Sequence, residues 1–210
     1  EFSSGNQPLK VASQPRFDVP VTATHSYAIS ELDQLARGTH AVWGWLLGPS
    51  ADARTLLEGH LLAAILLDHG GSPLRQYLET TDLAEAPSEL CGLDDSAREL
   101  VFCCGVEGTE PGHIERLNHE ILELLAKVAI DGVEEEILVG IVDHMEMAQR
   151  DIGGGGYPYG LQLMGRVLPA ALYEGEPAAL LDIDNVLLWL RERIKDTSYI
   201  PSLINEQLVN

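Results

Sequence analysis

The sequence predicts an α+β fold, on three observations. Trp43 to Leu47 form an unbroken apolar run of strand length. Two further strand-like stretches, Glu89 to Leu93 and Arg98 to Val106, flank Asp94-Asp95-Ser96, which has the turn chemistry of a hairpin. After them the apolar residues recur at helical spacing almost to the end of the chain. Strands joined by a hairpin and followed by a series of helices make α+β rather than a repeated βαβ unit.

In chain order, residues 1–24 hold Pro8, Pro15 and Pro20 among Ser, Gly and Gln, without helical periodicity. They read as an extended linker that runs across a neighbouring surface, with the folded domain occupying residues 25–210. Ser26 to Arg37 is ambiguous between strand and short helix. Trp43 to Leu47 lack polar alternation, so the expectation is a central strand covered on both faces. Pro49-Ser50 ends it, and Ser50 is a candidate N-cap for a helix carrying Leu56, Leu57, Leu61, Leu62, Ile65 and Leu66. That helix is apolar around much of its circumference and should lie between the sheet and another layer. At Asp68-His69-Gly70-Gly71 a glycine is expected to supply a left-handed cap, and Ser72-Pro73 restarts the chain as N-cap and first helical residue. Leu74, Tyr77 and Leu78 give the second helix one buried face. The corner at His69, Gly70, Gly71 and Ser72 reads locally as a tight helix–helix turn that presents backbone.

Asp82 to Ser88 reads as a polar loop. Within the second hairpin strand Gly105 marks a candidate bulge, and Cys103 and Cys104 line the core. Thr109 to Pro111 opens a long helix with Ile114, Leu117, Ile121, Leu124, Leu125 and Val128 on one side, closed by Gly132. Glu134 opens the next, with Ile137, Ile141, Met145 and Ala148 on its expected inner face; its acidic first turn suits a helix N-terminus. Gly153 to Gly156 cannot hold a helix, since each glycine costs about 1 kcal/mol against alanine, and they read as a flexible joint. A helix resumes at Leu161 to Tyr173 despite Pro169, which should kink or end it. Ile183 to Ile194 and Tyr199 to Val209 complete the series.

Thirteen Lys and Arg against 33 Asp and Glu give a formal charge of −20, a field that repels nucleic acid and anionic membrane surfaces. The three cysteines, Cys91, Cys103 and Cys104, have no zinc-site spacing, and their number favours reduced thiols and a reducing compartment such as the cytoplasm. No apolar run reaches membrane-spanning length, and no signal segment opens the chain. Seven histidines prompt a search for paired metal ligands. Neither His-Glu-x-x-His nor His-x-x-Glu-His occurs: His119-Glu120 is followed by Glu123, and His113 by Arg116 and Leu117. No nucleophile elbow occurs, and four glycines between a helix and Tyr157-Pro158-Tyr159 lack the context of a phosphate loop.

Three strings carry a family resemblance: Gln149 to Gly153, Tyr157 to Leu161, and Leu168-Pro169-Ala170-Ala171-Leu172-Tyr173-Glu174-Gly175-Glu176-Pro177. With Leu67 to Leu74, Glu79 to Leu83 and Pro15-Arg16-Phe17, they resemble the non-catalytic second domain of presequence proteases. These form a branch of the pitrilysin and insulinase type zinc metallopeptidases. The resemblance runs from about residue 15 to Asn210. It implies an antiparallel sheet with helices packed mainly on one face. It also implies that the zinc and its His-x-x-Glu-His motif belong to a separate catalytic domain, so no cofactor and no catalytic residue is expected in this chain. The implied partners are that catalytic domain, on the same polypeptide or as a separate subunit, and unfolded peptide substrate. In relatives the corner matching His69, Gly70, Gly71 and Ser72 lies beside a sheet edge that anchors peptide by strand addition, which implies an exosite here. The alternative is a structural subunit that assembles with a catalytic partner.

Overall fold

The computed structural model describes residues 10–28, 37–150, 158–173 and 175–209. Strand β1 (Thr39–Pro49) is followed by helices α1 (Ala53–Leu66) and α2 (Pro73–Thr80). Then come strands β2 (Ala86–Pro87), β3 (Gly92–Asp94) and β4 (Glu99–Thr109). Helices α3 (Ile114–Asp131), α4 (Glu135–Arg150), α5 (Tyr159–Leu172), α6 (Asp184–Arg193) and α7 (Tyr199–Ile204) follow, the last running into a π turn at Asn205–Val209.

The sheet is antiparallel, with β4 in the middle: β1 pairs along one side of β4, while β2 and β3 pair with the other. Its two faces differ. Phe102, Cys104 and Val106 are fully buried and, with Trp43 and Trp45, face the helices, whereas Val42 on the opposite face is 43% exposed. The fold is therefore an α+β sheet with helices mainly on one face. The expectation of a central, doubly covered β1 is corrected: among the described residues β1 is an edge strand, and its burial alternates along Ala41 to Trp45. The unbroken apolar run misled because Val42 and Gly44 face outward without being polar.

Helix α1 holds the layers together. It packs on β1, β3 and β4 on one side and on α2, α4 and α6 on others, as its all-round apolar surface requires. Leu57, Leu61, Leu62, Ile65 and Leu66 are buried, each contributing about 1.5–3 kcal/mol. Gly59 permits the close approach: a Cβ there would stand 3.2 Å from Leu93 and Leu100 methyls. The N-cap is Asp52, whose Oδ1 accepts from the Thr55 amide at 2.8 Å. Ser50, the expected cap, instead donates its hydroxyl to the Ala97 carbonyl at 2.6 Å, closing the sheet at Arg98.

The hairpin of β3 and β4 forms around Asp94-Asp95-Ser96 as expected, shorter on the β3 side. Asp82 to Ser88 contains the two-residue β2 rather than loop alone; Pro87 is tolerated there because β2 is an edge. The bulge lies not at Gly105, which pairs regularly with Val42, but at Glu107-Gly108, where two residues oppose His40 and Gly108 takes φ +69°. Gly132 closes α3 at φ +72°. The inner side of α4 is Leu138 and Val142, with Ile141 and Met145 beside them; Ile137, expected inside, is 43% exposed. Pro169 lies within α5, near its end, and Ala170 is that helix's buried residue. The glycine joint at Gly153 to Gly156 and most of Ser26 to Arg37 lie outside the described residues.

Candidate functional site

The corner between α1 and α2 is built from its own backbone. Helix α1 ends at Leu66, and the Ser72 amide donates back to the His69 carbonyl at 2.8 Å. The Gly71 amide donates to His69 Nδ1 at 3.2 Å, which makes that nitrogen the acceptor. Ser72 is the N-cap residue and Pro73 the first helical residue, as expected. Ser72, however, is fully buried, and its hydroxyl donates to the Ala64 carbonyl of α1 at 3.2 Å. It fixes the corner rather than facing solvent. His69, Gly70 and Gly71 are exposed. The left-handed glycine expected here is not found: Gly92, Gly108 and Gly132 are the described glycines with positive φ. The turn is held by the His69 and Ser72 hydrogen bonds instead.

His69 and Gly71 form one end of an open groove of about 600 Å³. Its other wall comes from α3 and the start of α4, including Leu124, Lys127, Asp131 and Ile137. These wall residues were not singled out from sequence; the signal available was Gly132, which ends α3 and brings its last turn against the corner. Tyr77 lines the groove and donates its hydroxyl to Glu120 at 2.7 Å, tying α2 to α3. Burial, reinforced by the Glu120 carboxylate, raises the Tyr77 phenol from 10.0 to about 12.

No strand residue lines the groove. β2 packs on α2. Burial raises the Cys91 thiol, opposed by hydrogen bonds with the Gly105 and Ser88 backbone and, less, by the Arg75 guanidinium. Cys91 immediately precedes β3, whose side away from β4 is unpaired among the described residues. Burial raises all three thiols above their usual range, which keeps them protonated and poor nucleophiles.

Among the described residues no three His, Cys, Asp or Glu side chains come together as a metal-binding group. The histidines that approach carboxylates do so singly. His60 lies 3.4 Å from Asp95, His119 3.3 Å from Glu123, and His40 3.8 Å from Glu107. The His60 contact lowers the Asp95 carboxyl below its usual range. The described residues thus do not fit a zinc site. No described helix is long and apolar enough to cross a membrane.

No family model matches the chain. Among curated proteins, it is 26% identical over 197 residues to presequence protease 1 of Arabidopsis thaliana, covering 93% of this chain and 18% of that protein. Protein HypA of Clostridium perfringens is 23% identical over 204 residues, 96% of this chain and 20% of its own length. Among solved structures, the chain matches the inactive peptidase domain of a protein assigned as a zinc protease in Bordetella parapertussis. That match has a TM-score of 0.58 at 16% identity and covers 82% of this chain and 86% of that one. The chain is a relative of the presequence proteases. Its fold is shared with that peptidase domain. The periplasmic protease PqqL of Escherichia coli shares the fold at a TM-score of 0.51. The chain spans about a fifth of the length of the presequence proteases it matches.

Proposed function

We propose that this chain is a non-catalytic domain of a zinc metallopeptidase that degrades unfolded peptides. It walls part of the substrate chamber and anchors peptide at an exosite formed by His69, Gly70 and Gly71, with Ser72 holding the corner. Catalysis and zinc belong to a catalytic domain on the same polypeptide or on a partner subunit, and this chain needs no cofactor of its own. The observation that supports the reading is the corner itself: a backbone-rich turn at a groove, in a chain similar to presequence proteases. An unfolded peptide has free amides and carbonyls throughout, so main-chain pairing is tolerant of sequence. The glycines let its backbone approach.

Gly70 gives a clean test, because a Cβ there meets nothing within 4 Å and its φ is not in the left-handed region. Gly70→Trp is therefore expected to start its side chain in open space and block the corner. Fluorescence anisotropy with a labelled, unstructured peptide is expected to show about tenfold weaker binding for the variant. Equal binding by both proteins would remove the exosite.

A further inference from the structure

β1 is the longest margin in the sheet without a second strand partner among the described residues. Its 11 residues, Thr39–Pro49, pair only with β4 among the described residues. The opposite margin is divided between β2 and β3, of two and three residues. Proteins protect long edges with charged side chains, internal prolines or mid-strand bulges. Over most of its length β1 has none of these: it contains no Asp, Glu, Lys or Arg and no proline before Pro49, and its register is regular from Ala41 to Leu46, shifting only beyond, where Leu47 and Gly48 oppose Leu100.

One extended segment already runs along β1. Arg16 donates to the Leu46 and Leu47 carbonyls near the end of β1, and Tyr27 donates to the Gly38 carbonyl just before its start. The Tyr27 ring also meets the His40 ring edge-on at 5.2 Å. The segment thus passes β1 in the opposite direction, the polarity of an antiparallel neighbour. Between these two ends it forms no ladder, being without strand structure over residues 10–28. Phe17, Val19 and Val21, at alternate positions, are 63 to 69% exposed instead of packed. Beyond Arg16 the segment is tied at the start of β4, where Arg98 donates to the Val11 carbonyl at 2.6 Å and the Gln14 amide donates to Glu99 at 2.9 Å. It is pinned by side chains at its ends and unpaired in its middle.

We infer that the open margin of β1 is a strand-addition site for an extended, uncharged, β-branched stretch of another polypeptide, and that residues 16–27 are a latch lying over it. The incoming strand would form the ladder that the latch lacks, in the same antiparallel direction. Uncharged is required because β1 offers its neighbour no charged side chain to pair. Releasing the latch is the step binding must compete with, so weakening it should increase affinity by the fraction of molecules it frees. The site is separate from the corner at His69 to Ser72.

The test uses the whole 210-residue chain and two labelled peptides of alternating Thr and Val with Lys at both ends. They are identical except that one carries N-methyl groups along one edge. The unmodified peptide is expected to bind and the methylated one, of equal charge, to fail. Arg16→Ala should tighten binding about tenfold, and hydrogen exchange should show new protection on β1 amides. The inference is overturned if both peptides bind alike, if neither binds even to Arg16→Ala, or if the protection falls on β3. A concentration-dependent dimer protected at β1 without peptide would also overturn it, assigning the edge to a second copy.

Discussion

Gly105 shows how closely β1 and β4 approach. A Cβ at that position would stand 2.5 Å from the Ala41 carbonyl oxygen and 3.0 Å from a Val42 methyl. Because the obstacle is backbone, it cannot swing aside. Gly105→Ala is expected to destabilise the fold by about 1–3 kcal/mol, read as a lower urea midpoint. Tyr77 makes a prediction about pH. Its phenol is raised from 10.0 to about 12, chiefly by burial and then by the Glu120 hydrogen bond, so the folded state favours the neutral form. That contribution is complete below about pH 10 and is lost as pH rises through about 12. Tyr77→Phe should therefore lower stability at neutral pH and flatten the alkaline decline, measured by urea unfolding at several pH values. Single residues were only partly legible in the sequence. Ser72 and Pro73 were readable because helix starts have local chemistry. Ser50 was misassigned, since Asp52 two residues later offers the same chemistry and only the hydrogen bonds to Ala97 and Arg98 decide between them.

Elements follow the sequence more faithfully than residues do. α1 to α4 begin and end close to their predicted limits, because glycines, prolines and capping residues mark them. Gly132 is the clearest: at φ +72° it closes α3 and opens the groove wall. Gly132→Ala is expected to cost about 1 kcal/mol, since a side chain is disfavoured at that φ, and to lower the thermal midpoint by a few degrees. Strand neighbours were not legible. An apolar run is compatible with an edge or a centre, and only the pairing of β1 with β4 alone among the described residues distinguishes them. The inner face of α4 was misassigned for a related reason. Ile137, Leu138, Val139, Ile141 and Val142 cover a wide arc, and the packing of α4 on α1 and α6 selects Leu138 and Val142 from it. β2, of two residues, carries no periodic signal.

At the scale of the molecule, α1 fastens the sheet to the helical layer and leaves the far face of the sheet, β1 and the corner groove open. The seven histidines are dispersed, and those near carboxylates meet only one each. The groove was not legible, because α2, α3 and α4 meet there from distant parts of the chain. The central claim is that this chain contributes binding without chemistry, and hydrolysis of an internally quenched, unstructured peptide by the purified chain in the presence of zinc tests it most directly. The expected result is no increase in fluorescence at any zinc concentration. Turnover that scales with protein, and that a chelator abolishes, would contradict it.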